Sequence, residues 1–237
     1  SAQLEKEYGR GFAAKNVQRM IQFATIVQER EIVVTLSRQL SWSHFVAIIP
    51  IDDELKRKFY AEMCRIERWT VRILRKKINR MLFERTAIAK KPEKVIELEL
   101  KKLEDTDQLS SDMVFRDPYF LDFLQLTDPW CEKDLEAAII REMERVILEL
   151  GAGFTFVERQ KRMTIDGDDY YLDLLFYNRM LNRLVAIDLK MGKFQASDKG
   201  QMELYLRWLE TYDMQKHEKT PVGLILCAGK SDDHVEL

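Results

Sequence analysis

The chain has 237 residues, 46% of them hydrophobic and 33% charged, with a formal net charge of −2 at pH 7. That composition supplies a real core and excludes a disordered or fibrous chain. No apolar run approaches membrane-spanning length, the opening SAQLEKEYGRGFAAKN lacks the apolar centre of a signal peptide, and Cys64, Cys131 and Cys227 are too dispersed for a zinc ligand set or a disulfide framework. The expected setting is a reducing cytoplasm, with no membrane contact. The near balance of charge hides an asymmetry: residues 1–90 carry 18 Lys+Arg against 10 Asp+Glu, and the remainder 20 against 30. A basic first half points to an anionic partner, nucleic acid first, although a helical domain can carry such a surplus with no partner.

Up to about residue 86 the pattern is helical, broken at Gly9 and Gly11, at Ser41–Ser43 and at Pro50–Asp53. The piece TVRILRKKINRMLFER, residues 70–85, opens on Thr70, a good N-cap. At 100° per residue Val71, Leu74, Ile78, Met81 and Leu82 gather on one face. Arg72, Lys76 and Arg80 share the other face with Asn79. Preceded by LSWSHFVAIIPIDDELKRKFYAEMCRIERW, this piece reads as the recognition helix of a helix-turn-helix unit, its basic residues turned to a phosphate backbone. Residues 1–88 are therefore expected to form an all-helical domain that binds nucleic acid or a partner. Residues 89–133 change character, from the charged, helix-prone AKKPEKVIELELKKLEDTDQLSSD to the proline- and aromatic-bearing MVFRDPYFLDFLQLTDPWCEKD; a linker with a helix and a packing segment is expected there.

From Asp134 to residue 237 the pattern is mixed. The helix DLEAAIIREMERVILELG ends at Gly151, and the strand GFTFVERQKRMTI leads to an Asp166-Gly167 turn. A hairpin over residues 170–194, YYLDLLFYNRMLNRLVAIDLKMGKF, comes next, then the helix SDKGQMELYLRWLETY and the strand PVGLILCAG. A helix between strands 184–190 and 222–227 makes those strands parallel neighbours. The expected architecture is α/β, in the order α-β-β-β-α-β.

The hairpin carries the chemistry. Alternation places Tyr171, Asp173, Leu175 and Tyr177 on one face of its first strand, and Leu184, Ala186, Asp188 and Lys190 on one face of its second. With the turn centred between Met180 and Leu181, paired residue numbers sum to 361, so Asp173 lies opposite Asp188. Like charges facing each other across two strands are destabilising, more so when buried. A divalent cation between the carboxylates would offset that repulsion, and Lys190 adds a cation beside them. Phosphodiester hydrolysis uses such a set: carboxylates for Mg²⁺, and a lysine for the attacking water or the developing charge. A solvent-exposed face, or a plain Lys190–aspartate pair, would account for the same spacing.

Asp173, followed after a short hairpin by Asp188-Leu189-Lys190 in this element order, resembles the P-D-(D/E)-x-K superfamily, the fold of many restriction endonucleases. LELGAGFTFVERQ, YLDLLFYNRMLNRLVAIDLKMGKF and KGQMELYL resemble the YhcG family of bacterial nucleases. LSWSHF, FYAEM, RWTVRILRKKI and RDPYFLDFL are similar to its helical, winged-helix-like N-terminal domain. Leu172 stands where the motif has its proline, a relaxation without chemical consequence. The resemblance implies metal ligation by Asp173 and Asp188, with Lys190 as the motif lysine. It also implies a glutamate on the helix before the first strand, for which Glu149 is the candidate, and a glutamine on the later helix, matched by Gln201. Gln160 fits the family pattern without an assigned role. The chain begins without methionine and stops at HVEL, where family members continue, so an incomplete C-terminal sheet is expected. His44, His217 and His234 are isolated, His44 reading as structural; MGKF lacks the spacing of a phosphate loop, and no organic cofactor is expected.

Together these readings imply a Mg²⁺- or Mn²⁺-dependent endonuclease acting on nucleic acid, DNA ahead of RNA, with a homodimer as a plausible assembly. The alternatives are a non-catalytic nucleic-acid-binding or assembly module on the same fold, and a nuclease specific for RNA or for branched DNA.

Overall fold

The computed structural model describes residues 2–26, 40–116, 119, 124 and 131–227 and divides the chain into two units, Ser1–Asp117 and Pro118–Leu237. Among the described residues no helix is long and apolar enough to cross a membrane.

The first unit runs α1 (Ala2–Tyr8), α2 (Ala14–Ile26), α3 (Trp42–Ile48), α4 (Glu54–Glu67), α5 (Val71–Asn79), α6 (Leu82–Arg85), α7 (Glu93–Thr106) and α8 (Ser111–Val114). Capping fixes the α4–α5 pair. The Asp53 carboxylate accepts from Lys56 N at 2.9 Å to open α4, and Arg68, in the left-handed region at φ 53°, closes it. Thr70 Oγ then accepts from Ile73 N at 3.4 Å to open α5. His44 ties this turn to α3: its Nδ1 accepts from Ser41 N at 3.1 Å and its Nε2 donates to Trp69 O at 2.9 Å, a structural role as expected. A single helix over 70–85 is not what forms. It breaks after Asn79, and Met81, at φ 48° and 54% exposed, leaves the apolar face to Leu82 and Phe83.

The segment expected to link the domains begins inside the first unit. Arg65 on α4 donates to Glu62 Oε2 at 2.8 Å and to Leu103 O at 3.2 Å and pairs with Asp107, while Lys58 meets Glu104 at 2.9 Å. These bonds pin α7 to α4, and Phe59, Tyr60, Leu74, Ile88, Leu100 and Leu103 are fully buried in this unit. The Tyr60 hydroxyl accepts from Phe83 N at 3.2 Å, and burial pushes its pKa up to about 12. Among the described residues this unit holds no strand beyond an isolated Thr86–Arg116 bridge, so no wing is found there. Within the expected packing segment residues 117, 118, 120–123 and 125–130 lie outside the described residues, as does His234.

The second unit contains α9 (Glu132–Arg141), α10 (Met143–Leu150), β1 (Phe154–Ile165), β2 (Asp168–Asn178), β3 (Arg183–Lys190), α11 (Ala196–Tyr212) and β4 (Val222–Cys227). The sheet order is β1-β2-β3-β4, antiparallel except for the parallel β3–β4 pair that the crossover helix required. β3 lies inside the sheet, and its residues from Leu184 to Leu189 are all buried because helices cover both faces. On one side Met202, Tyr205 and Leu209 of α11 pack with Leu175, Leu184 and Ala186. On the other, Leu174, Phe176 and Ile187 meet Ile139, Val146 and Leu150 of α9 and α10. The helix expected as one piece from Asp134 is divided at Glu142.

Asp166 and Gly167, at φ 52° and 92°, form the expected turn between β1 and β2. The β2–β3 loop is the four residues Arg179–Asn182; Asn178 Oδ1 accepts from Met180 N at 2.9 Å and Leu181 N at 3.0 Å, a side-chain turn that pre-sets the hairpin. Gly153 closes against it at φ +83°, where an added Cβ would lie 2.8 Å from Met180 Cγ and 3.2 Å from Met180 N. Gly153→Ala is expected to cost roughly 1–3 kcal/mol of stability through positive φ and collision with the loop. Denaturant unfolding checks this, and a stability equal to that of the unaltered protein would remove Gly153 as a constraint on the hairpin.

Candidate active site

The hairpin register emerges as the pattern of turn and strands dictates. Leu174 pairs with Ile187, Leu175 with Ala186, Phe176 with Val185, Tyr177 with Leu184 and Asn178 with Arg183, each summing to 361. The next pair in line is Asp173 with Asp188, and there the regular ladder stops. Asp173 Oδ2 instead accepts from Leu189 N at 2.7 Å, a side chain taking the place of a main-chain partner. The distortion is shared by β1. Arg159 pairs with Leu174 and Lys161 with Leu172, while Gln160 between them leaves the ladder at φ 48°. Leu172 and Leu175, three residues apart, accordingly enter the same buried cluster. Strict alternation therefore breaks between Leu172 and Leu175.

Asp188 is 3% exposed. Its Oδ2 lies 2.8 Å from Lys190 Nζ, yet that buried oxygen has no well-aligned hydrogen bond. Burial raises the Asp188 pKa to about 6; the Lys190 ammonium opposes the shift and the Asp173 charge adds to it. Lys190 Nζ is itself directed, donating to Gln201 Oε1 at 3.2 Å. Gln201 Nε2 donates to the Tyr205 hydroxyl one helical turn on, and that hydroxyl donates to Tyr171 O at 3.3 Å. Tyr205 is buried, which raises its pKa. A chain of donors thus runs from the lysine through α11 to the Tyr171 carbonyl of β2.

Of the five residues expected at the site, Asp173, Asp188, Lys190 and Gln201 come together here. Glu149 does not. It is 5% exposed and lines a narrow apolar pocket with Val146, Leu150, Leu174, Phe176 and Ile187, on the sheet face away from α11. In its stead Glu136 of α9 approaches: Gln160 Nε2 donates to Glu136 Oε2 and to Asp173 Oδ1, each at 3.0 Å. Sequence reasoning did not anticipate that Gln160 would bridge Glu136 and Asp173. On the helical wheel Glu136 flanks the apolar stripe about 60° from its centre, on the edge opposite Glu149, and that position was the available signal. Among the described residues no three His, Cys, Asp or Glu side chains converge as a complete metal-ligand set.

Comparison with known proteins places this geometry in context. Residues 112–237 match the family model described as YhcG PDDEXK nuclease domain, and residues 1–85 match the DUF1016 N-terminal domain. A protein of Escherichia coli (strain K12) named "Putative nuclease YhcG" is 34% identical over 252 residues, covering 94% of this chain; the chain spans 66% of that protein's length. A solved structure, a repair endonuclease from Pyrococcus abyssi, aligns over 45% of this chain and 42% of its own at 18% identity, with a TM-score of 0.31, a likeness too distant to carry any inference. The chain belongs to the YhcG family, with a PDDEXK-type nuclease domain over residues 112–237.

Proposed function

We propose that the second unit hydrolyses phosphodiester bonds of DNA in the presence of a divalent cation, Mg²⁺ or Mn²⁺, and that the first unit docks on the nucleic acid. The observation that carries this reading is Asp188: a 3% exposed carboxylate that faces the Asp173 charge and whose Oδ2, 2.8 Å from the Lys190 ammonium, has no aligned hydrogen bond. A buried carboxylate left in this state is costly unless a cation completes it. Mg²⁺ is commonly held by one or two carboxylates while keeping several waters, a demand that Asp173 and Asp188 fit. When bound, such a cation supplies Lewis acidity toward a phosphoryl oxygen and acidity to water.

The remaining chemistry belongs to the chain. Asp173 is aimed by two donors, Gln160 Nε2 and Leu189 N, which leave further lone pairs on each oxygen for a ligand. Lys190, steered by Gln201, presents its ammonium to the attacking water and to the charge that develops on the phosphoryl group. Tyr205 holds Gln201 in the orientation that accepts from Lys190. Glu136 adds a further negative charge nearby, held through its link to Gln160. The test is cleavage of end-labelled duplex DNA, single-stranded DNA and RNA by the full chain in Mg²⁺, Mn²⁺ or EDTA. Cutting of DNA that EDTA abolishes is the expected result; binding without metal-dependent cutting of any substrate would favour a recruiting module instead.

The two glutamates separate cleanly. Glu136→Gln is expected to lower the cleavage rate about 10–100-fold, the usual effect of removing a group that sets metal ligands, while Glu149→Gln changes the rate by less than about threefold. Single-turnover cleavage compares them, and the reverse ranking would return Glu149 to the site.

In the first unit α5 exposes Arg72, Arg75 and Lys76, with Arg80 just beyond its end. A short turn joins α4 to α5, an arrangement that suits the helix-turn-helix reading. Arg72→Ala with Lys76→Ala and Arg80→Ala is expected to weaken DNA binding irrespective of sequence and to flatten log K against log[salt] by up to about 3 in slope. Fluorescence anisotropy across a salt series reads both quantities, and unchanged affinity would remove α5 as the docking face.

A further inference from the structure

The φ of 48° at Gln160, in the middle of a twelve-residue strand, is a conformation that a non-glycine residue adopts at a cost. No turn requires it: the chain continues as strand on both sides, paired through Arg159 and Lys161. What the conformation achieves is visible in the side chain. The Gln160 carboxamide reaches two carboxylates that belong to different elements, Glu136 on α9 and Asp173 on β2, donating one N–H to each at 3.0 Å. In a regular strand the residue would keep its place in the ladder opposite Asp173. Two anions held by one neutral donor group are also spared part of their mutual repulsion, and each accepting oxygen retains a lone pair.

We infer that Gln160 is a positioning residue: its left-handed backbone and its carboxamide lock Glu136 and Asp173 together as a pair, so that the cation meets oriented carboxylates. The inference rests on the reading of Asp173 as a cation ligand. A role confined to strand geometry makes a different prediction, because glycine adopts positive φ without cost and would preserve the backbone conformation while deleting the carboxamide. Leucine deletes the same group and keeps the backbone cost.

The experiment is Mn²⁺ binding to the full chain, read as loss of the free-ion EPR signal during titration, with thermal unfolding of the metal-free protein measured in parallel. Gln160→Gly and Gln160→Leu are both expected to raise the Mn²⁺ dissociation constant about 10–100-fold, while Gln160→Leu unfolds at a lower temperature than Gln160→Gly. Placed on Glu136→Gln, Gln160→Gly is expected to add little further loss, since the two act as one unit. Wild-type affinity in Gln160→Gly, or losses that simply add on Glu136→Gln, would overturn the role of Gln160 and leave the cation reading intact. No Mn²⁺ binding by the unaltered chain would overturn that reading and this inference together.

Discussion

The metal-free protein is expected to lose stability as pH rises from 4 to 7, and Asp188→Asn to remove the share of that loss that Asp188 carries. The folded-state pKa of Asp188, about 6, stands above the ordinary 3.8, so folding favours its protonated form. Its contribution to stability is complete below the ordinary value and disappears as pH climbs through the folded value. Integrated over that window the loss comes to roughly 3 kcal/mol, the cost of carrying a charge where water has been excluded. Lys190 already offsets part of the burial. Denaturant titrations in EDTA at intervals of pH would show the wild-type curve falling away from that of Asp188→Asn between pH 4 and 7. Parallel curves would mean that Asp188 is accommodated without penalty and that no cation is needed to complete it. Mn²⁺ at about 100 times its dissociation constant should return roughly 2.7 kcal/mol to the wild-type chain at pH 7 and nothing to Asp188→Asn.

Cleavage is expected to collapse in Lys190→Met and in Asp188→Asn, each by about 10²–10³-fold or more, while both chains stay folded. The physical grounds differ. Asp188→Asn removes an anionic ligand, so added Mn²⁺ at high concentration should recover little. Lys190→Met leaves both carboxylates in place, so Mn²⁺ should still bind and protect against unfolding while the rate remains low. Gln201→Leu, which releases the ammonium from its acceptor without removing it, is expected to fall between, about tenfold below wild type. Single-turnover rates paired with Mn²⁺ binding separate these cases. Full activity in Lys190→Met would reassign the lysine to charge compensation of Asp188 and nothing more.

The stability penalty and the rate effects share a cause. The second unit places an anion deep in a sheet covered by helices on both faces, a placement that under the proposed reading raises the energy of the empty site and would strengthen its electrostatic contacts with a cation and substrate. Tyr205 shows how closely the surroundings are arranged: a buried ring at 1% exposure ends a donor chain whose other end is the lysine.

Much of this architecture is written in local pattern. The period of two along YYLDLLFY and LVAIDLK, with a loop centred between Met180 and Leu181, is sufficient to set the register at 361, because each residue step along one strand is matched by one step along the other. The parallel β3–β4 pair comes from a helix of crossover length between two strands. Gln201 and Tyr205 share a helical face by their spacing alone. Thr70 and Asp53 mark their helices because an oxygen at that position meets an orphan N–H.

Other features depend on contacts that no local window contains. The helix breaks at Met81 and Glu142 are not marked by proline or glycine, so periodicity carried both helices straight through. α7 carries the charge of a linker, yet Arg65, thirty-eight positions away from Leu103, binds it to α4. Element order, hairpin register and the pairing of Asp173, Asp188 and Lys190 were legible from the residues alone, since they depend on periods and turn lengths. Which glutamate joins them was not, because the approach of α9 to β2 through Gln160 is settled by packing across the sheet and by a backbone conformation that nothing in the local pattern announces.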